Sequence, residues 1–160
     1  MAFDTQLQRQ IMGRFATGVT VVTTCHGEQM FGMTANAVAS LSLEPPQLLV
    51  AVDRRAQMHE ALLAARCFAV NILTEQQEEL SRRFAMRGPK EWADLDFSTA
   101  VTGAPIFKGA LAHVDCKLAE VLPGGDHQIF IGEIVGGAIG EGRPLMYYRG
   151  QYVKLPESIE

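Results

Sequence analysis

The chain has 160 residues, 48% of them hydrophobic, and a formal net charge of −4. That length and apolar content suit one domain spanning residues 1–160 with a buried core, and are too rich for disorder. The negative balance leaves no basic surplus to displace counterions, which argues against nucleic-acid binding, and no apolar run approaches the roughly 20 residues of a membrane span. The N-terminus carries Asp4 and no long apolar stretch, so it lacks the form of a signal peptide, and a cytoplasmic location is expected. Cys25, Cys67 and Cys116 stand far apart in strand-like apolar contexts, with no CxxC motif, and are expected to be plain buried thiols.

Along the chain, Phe3, Leu7, Ile11 and Phe15 recur every four residues and predict an amphipathic helix over roughly 4–15. Val19–Cys25 is β-branched nearly throughout and predicts a strand; HGEQ turns it, and MFGMTA returns as the second arm of a hairpin. The next segment, TANAVASLSLEPPQ, is small, hydroxyl-rich and amide-rich, and ends in Pro45-Pro46, which stops a helix and bars central strand pairing. It is either an ordinary connection or a surface against which something flat and polar-edged can lie. Gln47–Val52 predicts a buried strand, and Met58, Ala61, Leu62 and Ala65 a helix after it.

Cys67–Leu73 predicts another strand. Thr74 with Gln77 three residues on has the form of a capping box, opening a helix on which Leu80 and Phe84 share a face. Arg87 to Thr102 is a polar connection holding the only tryptophan, Trp92. ALAHVDCKLAEVL alternates, with Ala112, Val114, Cys116 and Leu118 on one face and His113, Asp115, Lys117 and Ala119 on the other, as in a half-exposed antiparallel strand. PGGD turns it, HQIFIGEIVGG runs back, and PLMYYRGQYVKL predicts one last strand. The sum is six or seven antiparallel strands with two or three short helices inserted. No βαβ rhythm appears, so the expected fold is all-β dominated, a small Greek-key barrel whose closure removes exposed edges.

A Rossmann GxGxxG after the first strand, a P-loop, a GxSxG elbow and closely spaced histidines are all missing. Three features remain. Thr34, Asn36, Ser40 and Ser42 bring hydrogen-bonding side chains together beside alanines that allow close approach to backbone. Arg54 and Arg55 stand where a strand gives way to a helix, whose N-terminal N–H groups and dipole favour phosphate. His127 follows a Gly-Gly-Asp turn at the rim of the expected barrel. Each has a plain structural reading as well: a polar turn, two solvated arginines, a histidine bonded to its turn. Together they suit a phosphorylated aromatic cofactor.

RFATGVTVVTT, GMTANAVASLSLEPPQLLVAV, FAVNIL, LSRRFA, GDHQIFIGEI and PLMYYRGQY, in that order from about Met12 to Val153, resemble the short-chain flavin reductases. These are the NAD(P)H-dependent reductase components of two-component flavin monooxygenases, such as those acting on phenol and 4-hydroxyphenylacetate. The resemblance implies an FMN-binding split barrel and a homodimer. It also implies hydride transfer from NADH or NADPH to FMN or FAD, and delivery of reduced flavin to a separate monooxygenase. Carried over, Thr34, Ala35, Asn36 and Ala37 line the flavin, with Ser40 and Ser42 continuing that wall. Ala51, Val52 and Asp53 lie along the ring or ribityl chain, Phe84 and Ala85 close over the tail, and His127 orients the nicotinamide carboxamide or pyrophosphate. Ala56, Gln57 and Met58 match the phosphate turn. Many relatives carry Ser and Thr at the positions of Ala56 and Met58, so here backbone N–H groups and Arg54 or Arg55 have to substitute. Arg14, Arg82 and Arg83 stand open as unspecific candidates for a 2′-phosphate. An FMN-retaining oxidase of the pyridoxamine-phosphate type and a non-enzymatic flavin- or haem-binding module on the same barrel are the alternatives.

Overall fold

The computed structural model describes residues 1–159. Its elements run α1 (Thr5–Met12), β1 (Thr17–Gly18), β2 (Thr20–His26), β3 (Gln29–Ala35), β4 (Val38–Leu43), β5 (Pro46–Asp53), α2 (Gln57–Ala65) and β6 (Cys67–Ile72). A 3₁₀ turn at Glu75–Gln77 leads into α3 (Glu78–Ala85), followed by β7 (Phe97–Thr99), β8 (Pro105–Phe107), β9 (Ala112–Gly124), β10 (His127–Ile139), β11 (Leu145–Tyr148) and β12 (Gln151–Lys154). Seven of these strands form one antiparallel sheet in the order β3-β2-β6-β9-β10-β5-β4.

That order forces closure. β3 and β4 are the two edges of the sheet, yet only Asn36 and Ala37 join them. Six inter-strand steps in a flat sheet would separate the edges by roughly 29 Å, whereas the link reaches at most about 10–11 Å. The sheet therefore curls into a barrel, and its edges meet at the link without pairing along their length. The expected barrel is borne out, split along one seam.

Val22, Val50, Val52, Phe68, Val70, Cys116, Leu118 and Phe130 fill the interior, and α2 plugs it with Met58, Ala61 and Leu62. Fully burying each large apolar side chain contributes about 1.5–3 kcal/mol. Burial pushes the Cys116 thiol up to about 12, so it stays neutral. Cys25 and Cys67 are only half-buried, because both sit at strand ends, so the expectation of three buried thiols holds for Cys116 alone.

A second core lies outside β2 and β3. Val19, Val21, Leu73, Phe84, Phe107 and Leu145 pack there with Trp92, whose ring stands 5.0 Å from Phe84 and stacks on Phe107. The segment read as a plain polar connection thus carries a core residue and β7, paired to β8. The capping box forms, with Gln77 Oε1 accepting the Thr74 N–H at 3.0 Å.

Other details depart from the sequence pattern. The small, polar segment after β3 is itself strand, β4, and Pro46 opens β5 at the hairpin, where its missing N–H interrupts no central ladder. Asp115, on the expected exposed face of β9, is fully buried because the preceding loop folds over it: the Thr102 N–H and hydroxyl both donate to its carboxylate. The last strand is two, turned at Arg149-Gly150, both with positive φ as a type I′ turn requires. Finally, α1 buries none of its residues, leaving Phe3, Leu7, Ile11 and Phe15 exposed.

The second core closes on β3 at Gly32. A Cβ there would stand 2.5 Å from the Phe84 ring, and Phe84 is 1% exposed with no room to move. Gly32→Ala should destabilise the fold by about 1–3 kcal/mol, seen as a lowered midpoint in denaturant unfolding; an unchanged midpoint would show that the ring can shift.

Candidate functional site

Barrel closure brings the sequence candidates to one end of the seam. The Ala37 carbonyl accepts the Ala51 N–H at 3.0 Å, so the link lies directly beside the end of β5. β5 pairs with the start of β10, placing His127 opposite Asp53 and Gln128 opposite Val52. Three stretches separated by tens of residues thus converge: the link, the β5–α2 junction and the turn before β10.

Register sorts these residues by face. Val38 lies across Val50 and Ser40 across Leu48, on the interior side, while Ala39 lies across Leu49 on the outer side. A bulge at Leu41 returns Ser42 to the outer side, across Gln47. Ala39, Ser42, Ala51, Asp53 and His127 therefore share the outer face, and Ser40 does not join them. Asn36 and Ala37 are exposed at the link. The Thr34 hydroxyl donates to the Ser81 carbonyl at 2.6 Å, and that of Thr20 to the Ala35 carbonyl at 2.6 Å, which fixes the strand leading into the link.

At the β5–α2 junction, Arg55 is bound to Asp53. Its Nη2 lies 2.9 Å from Oδ2, and its own backbone N–H donates to Oδ1 at 2.8 Å. The Arg55 side chain, then its backbone N–H, hold the Asp53 carboxyl well below the usual carboxylate range, with His127 adding a smaller attraction. Arg54 turns the other way, its Nε donating to the Gly125 carbonyl at 3.1 Å and its N–H to that of Asp126 at 3.0 Å. His127 is half-buried and its Nδ1 pairs with the Asp126 carboxylate at 2.7 Å, leaving Nε2 unengaged.

The start of α2 is open. Its cap residue, Ala56, offers no side-chain hydrogen bond, and the N–H groups of Gln57 and Met58 have no partner among the described residues. Two free donors at a positive dipole end, beside Arg54 and Arg55, are what an anion needs. The Met58 side chain is itself buried in the barrel core, so that position offers only backbone. The same holds for Phe84, whose ring is committed to the second core; Ala85 after it is exposed.

Sequence reasoning missed one pair beside this site. His59, in the first turn of α2, bonds through Nε2 to Gln128 Oε1 and stands edge-on to Phe130 at 5.7 Å. Sixty-nine positions separate the two residues, so no local signal could have joined them. No cluster of metal-ligating residues and no helix long and apolar enough to cross a membrane occurs among the described residues.

The flavin reductase-like domain model matches residues 12–156. The chain belongs to that family. It is 43% identical to the reductase component of 4-hydroxyphenylacetate 3-monooxygenase from Thermus thermophilus, over 92% of this chain and 94% of that protein. The structure superposes on the flavin reductase PheA2 in its native state with a TM-score of 0.90 at 40% identity, covering 97% of this chain and 100% of that one. It matches the Streptomyces globisporus NADH:FAD oxidoreductase SgcE6, in complex with NAD and FAD fragments, with a TM-score of 0.92 at 35% identity over 98% and 96% of the two chains. The split barrel expected for a flavin reductase is the fold found.

The Asp53–Arg55 contact sets a pH response. Because the folded carboxyl is held low, Asp53 stays ionised as pH falls through the ordinary aspartate value of about 3.9, and the contact breaks only at lower pH. A carboxyl NMR titration should show this, and Arg55→Ala should return the midpoint to the ordinary range. A wild-type midpoint already near that of a free aspartate would refute the pairing.

Proposed function

We propose that this protein takes a hydride from NADH or NADPH, passes it to FMN or FAD, and supplies the reduced flavin to a separate flavin-dependent monooxygenase. The observation that carries the reading is the open N-terminus of α2, set beside the small-residue outer face of β4 and β5 and below His127. It is supported by relatives that are reductase components of such monooxygenases and by a neighbour holding NAD and FAD fragments.

The residues present fit a flavin. Ala39 and Ala51 leave room for a flat ring, with Asn36, Ala37 and Ser42 at its polar edge. The unpartnered N–H groups of Gln57 and Met58 receive the phosphate, and Arg54, which no carboxylate engages, supplies the charge that the missing hydroxyls at Ala56 and Met58 do not, while Arg55 is held by Asp53. Flavin, when bound, accepts the hydride. The chain's part is to position and to stabilise: backbone N–H groups of the Asn36–Ala37 link face the edge where negative charge develops, and the unengaged Nε2 of His127 orients the nicotinamide end. Hydride transfer asks for no general base, so His127 is a positioning residue. Asp126 fixes its ring through Nδ1.

The working unit is a homodimer of one-domain chains. The exposed apolar face of α1, together with Leu41 and Leu43 on edge strand β4, needs a cover, and a second copy supplies it. Three free thiols suit a reducing cytoplasm, which supports that location.

Steady-state oxidation of NADH and NADPH against FMN, FAD and riboflavin tests the reading. Turnover with added free flavin is expected. Tightly co-purifying FMN without NAD(P)H oxidation would point instead to a flavin-retaining oxidase. His127→Ala should raise the KM for NADH more than it weakens flavin binding, and an unchanged KM removes His127 from the site.

The helix start gives a separate test. Ala56→Asp supplies the missing cap and should stabilise the flavin-free protein by about 1 kcal/mol. Its carboxylate would occupy the free N–H groups, so FMN binding should weaken about tenfold or more while riboflavin binding stays constant. Equal effects on both flavins would place the phosphate elsewhere.

A further inference from the structure

The arginines differ in whether a carboxylate holds them. Arg55, Arg82, Arg83 and Arg143 each pair with a carboxylate. Arg82 and Arg83, two of the three candidates for a 2′-phosphate, are thus engaged, with Glu78 at 2.7 Å and Asp94 at 2.7 Å. The third candidate, Arg14, is not. It lines a concavity of about 580 Å³ together with Arg9 and Arg149, between the end of α1 and the β11–β12 turn.

We propose that this concavity is a nucleotide-phosphate site. No acidic residue lines it; its other side chains are the amides of Gln6 and Gln10. Among the described residues, none of Arg9, Arg14 and Arg149 has a carboxylate within ion-pairing distance. Three arginines stand around this concavity without a counter-charge, in a chain of net charge −4. Their forked donors match phosphate oxygens. The volume accommodates a phosphate with its attached sugar rather than a bare ion.

A second, independent observation concerns Arg149 itself. It holds φ 51° and Gly150 φ 77°. Asn, Asp or Gly suit the first position of such a turn, and an arginine is disfavoured there. Turn chemistry does not favour this residue, and Arg149 lines the concavity.

Both walls are held in place. The Arg149 N–H donates to the Gly13 carbonyl at 2.9 Å, which ties the turn to the end of α1. Arg14 Nη1 donates to the Gln10 carbonyl at 2.7 Å, leaving the rest of its fork free. From the turn, β12 leads to Tyr152, whose hydroxyl bonds Ser81 Oγ at 2.7 Å. Ser81 in turn accepts the Thr34 hydroxyl on its carbonyl. The hairpin carrying Arg149 is therefore anchored to the strand leading into the Asn36–Ala37 link. The phosphate assignment stands on the arginines alone; its attribution to a dinucleotide substrate rests on the reductase reading.

Calorimetry on the purified full-length protein tests the site without turnover, using pyrophosphate and adenosine 2′-monophosphate as probes. Wild type should bind at least one. Arg149→Gly, which suits the turn and should not lower the melting temperature, is expected to weaken that binding about tenfold, and Arg14→Gln to do likewise. Absence of binding by wild type, or binding undiminished in both variants, overturns the proposal whether or not the protein oxidises NAD(P)H. The source of the phosphate follows from KM values: a rise for NADH and NADPH alike assigns the pyrophosphate, and a rise for NADPH alone assigns the 2′-phosphate. If the protein turns over and neither KM moves, the attribution to the dinucleotide fails.

Discussion

Everything distinctive about this molecule follows from two residues that are too short a bridge. Asn36 and Ala37 must join strands at opposite edges of a seven-stranded sheet, and only a closed sheet lets them. Closure places the barrel interior between α2 and the strands, leaves one seam unpaired along its length, and sets the small-residue link beside the end of β5. The apolar interior stabilises the curl once formed. The connectivity is what makes curling obligatory.

The site is a consequence of where that seam falls. A strand edge that pairs with nothing exposes backbone, and small side chains along it keep that backbone approachable. The β5–β10 register then adds His127 opposite Asp53, and the chain leaving β5 turns at once into a helix whose cap residue, Ala56, supplies no hydrogen bond. An uncapped start is a local weakness in the folded chain and a strength for anion binding, because the same two N–H groups cannot serve both a cap and a ligand. On the flavin reading proposed above, Ala56 offers no hydroxyl to the phosphate, and the uncapped N–H groups stand in for it.

Charge is divided by a similar logic. Arg82 and Arg83 on α3 and Arg55 at the β5–α2 junction are fixed by nearby carboxylates, which orders α3 against the Trp92 segment and holds the junction in shape. Those at the α1 end have no such partner and stand together around one concavity. Surface ion pairs of the first kind contribute little to stability, so their value here is geometric. Unpaired cations of the second kind have donors left for an anion, and their grouping around one concavity sets them apart from scattered solvated arginines.

The sequence by itself determined most of the strand and helix identities, though not those of β4, β7 and β8, together with the Thr74–Gln77 capping box, the barrel class and the family, because periodicity, turn residues and ordered motifs are local and survive without coordinates. It also singled out Thr34, Asn36, Arg54, Arg55 and His127. What it could not decide was anything set by pairing across distance. The register that separates Ser40 from Ser42, the bond from His59 to Gln128, the loop that buries Asp115 and the core packing that withdraws Phe84 and Met58 all depend on which strands become neighbours. The split of the last strand at Arg149-Gly150 lay hidden for a related reason: arginine is a poor turn signal, and only the positive φ held by the tertiary fold reveals the turn. Tertiary structure likewise told Arg14 apart from Arg82 and Arg83, since whether a cation is free or paired depends on what folds beside it and not on its place in the chain.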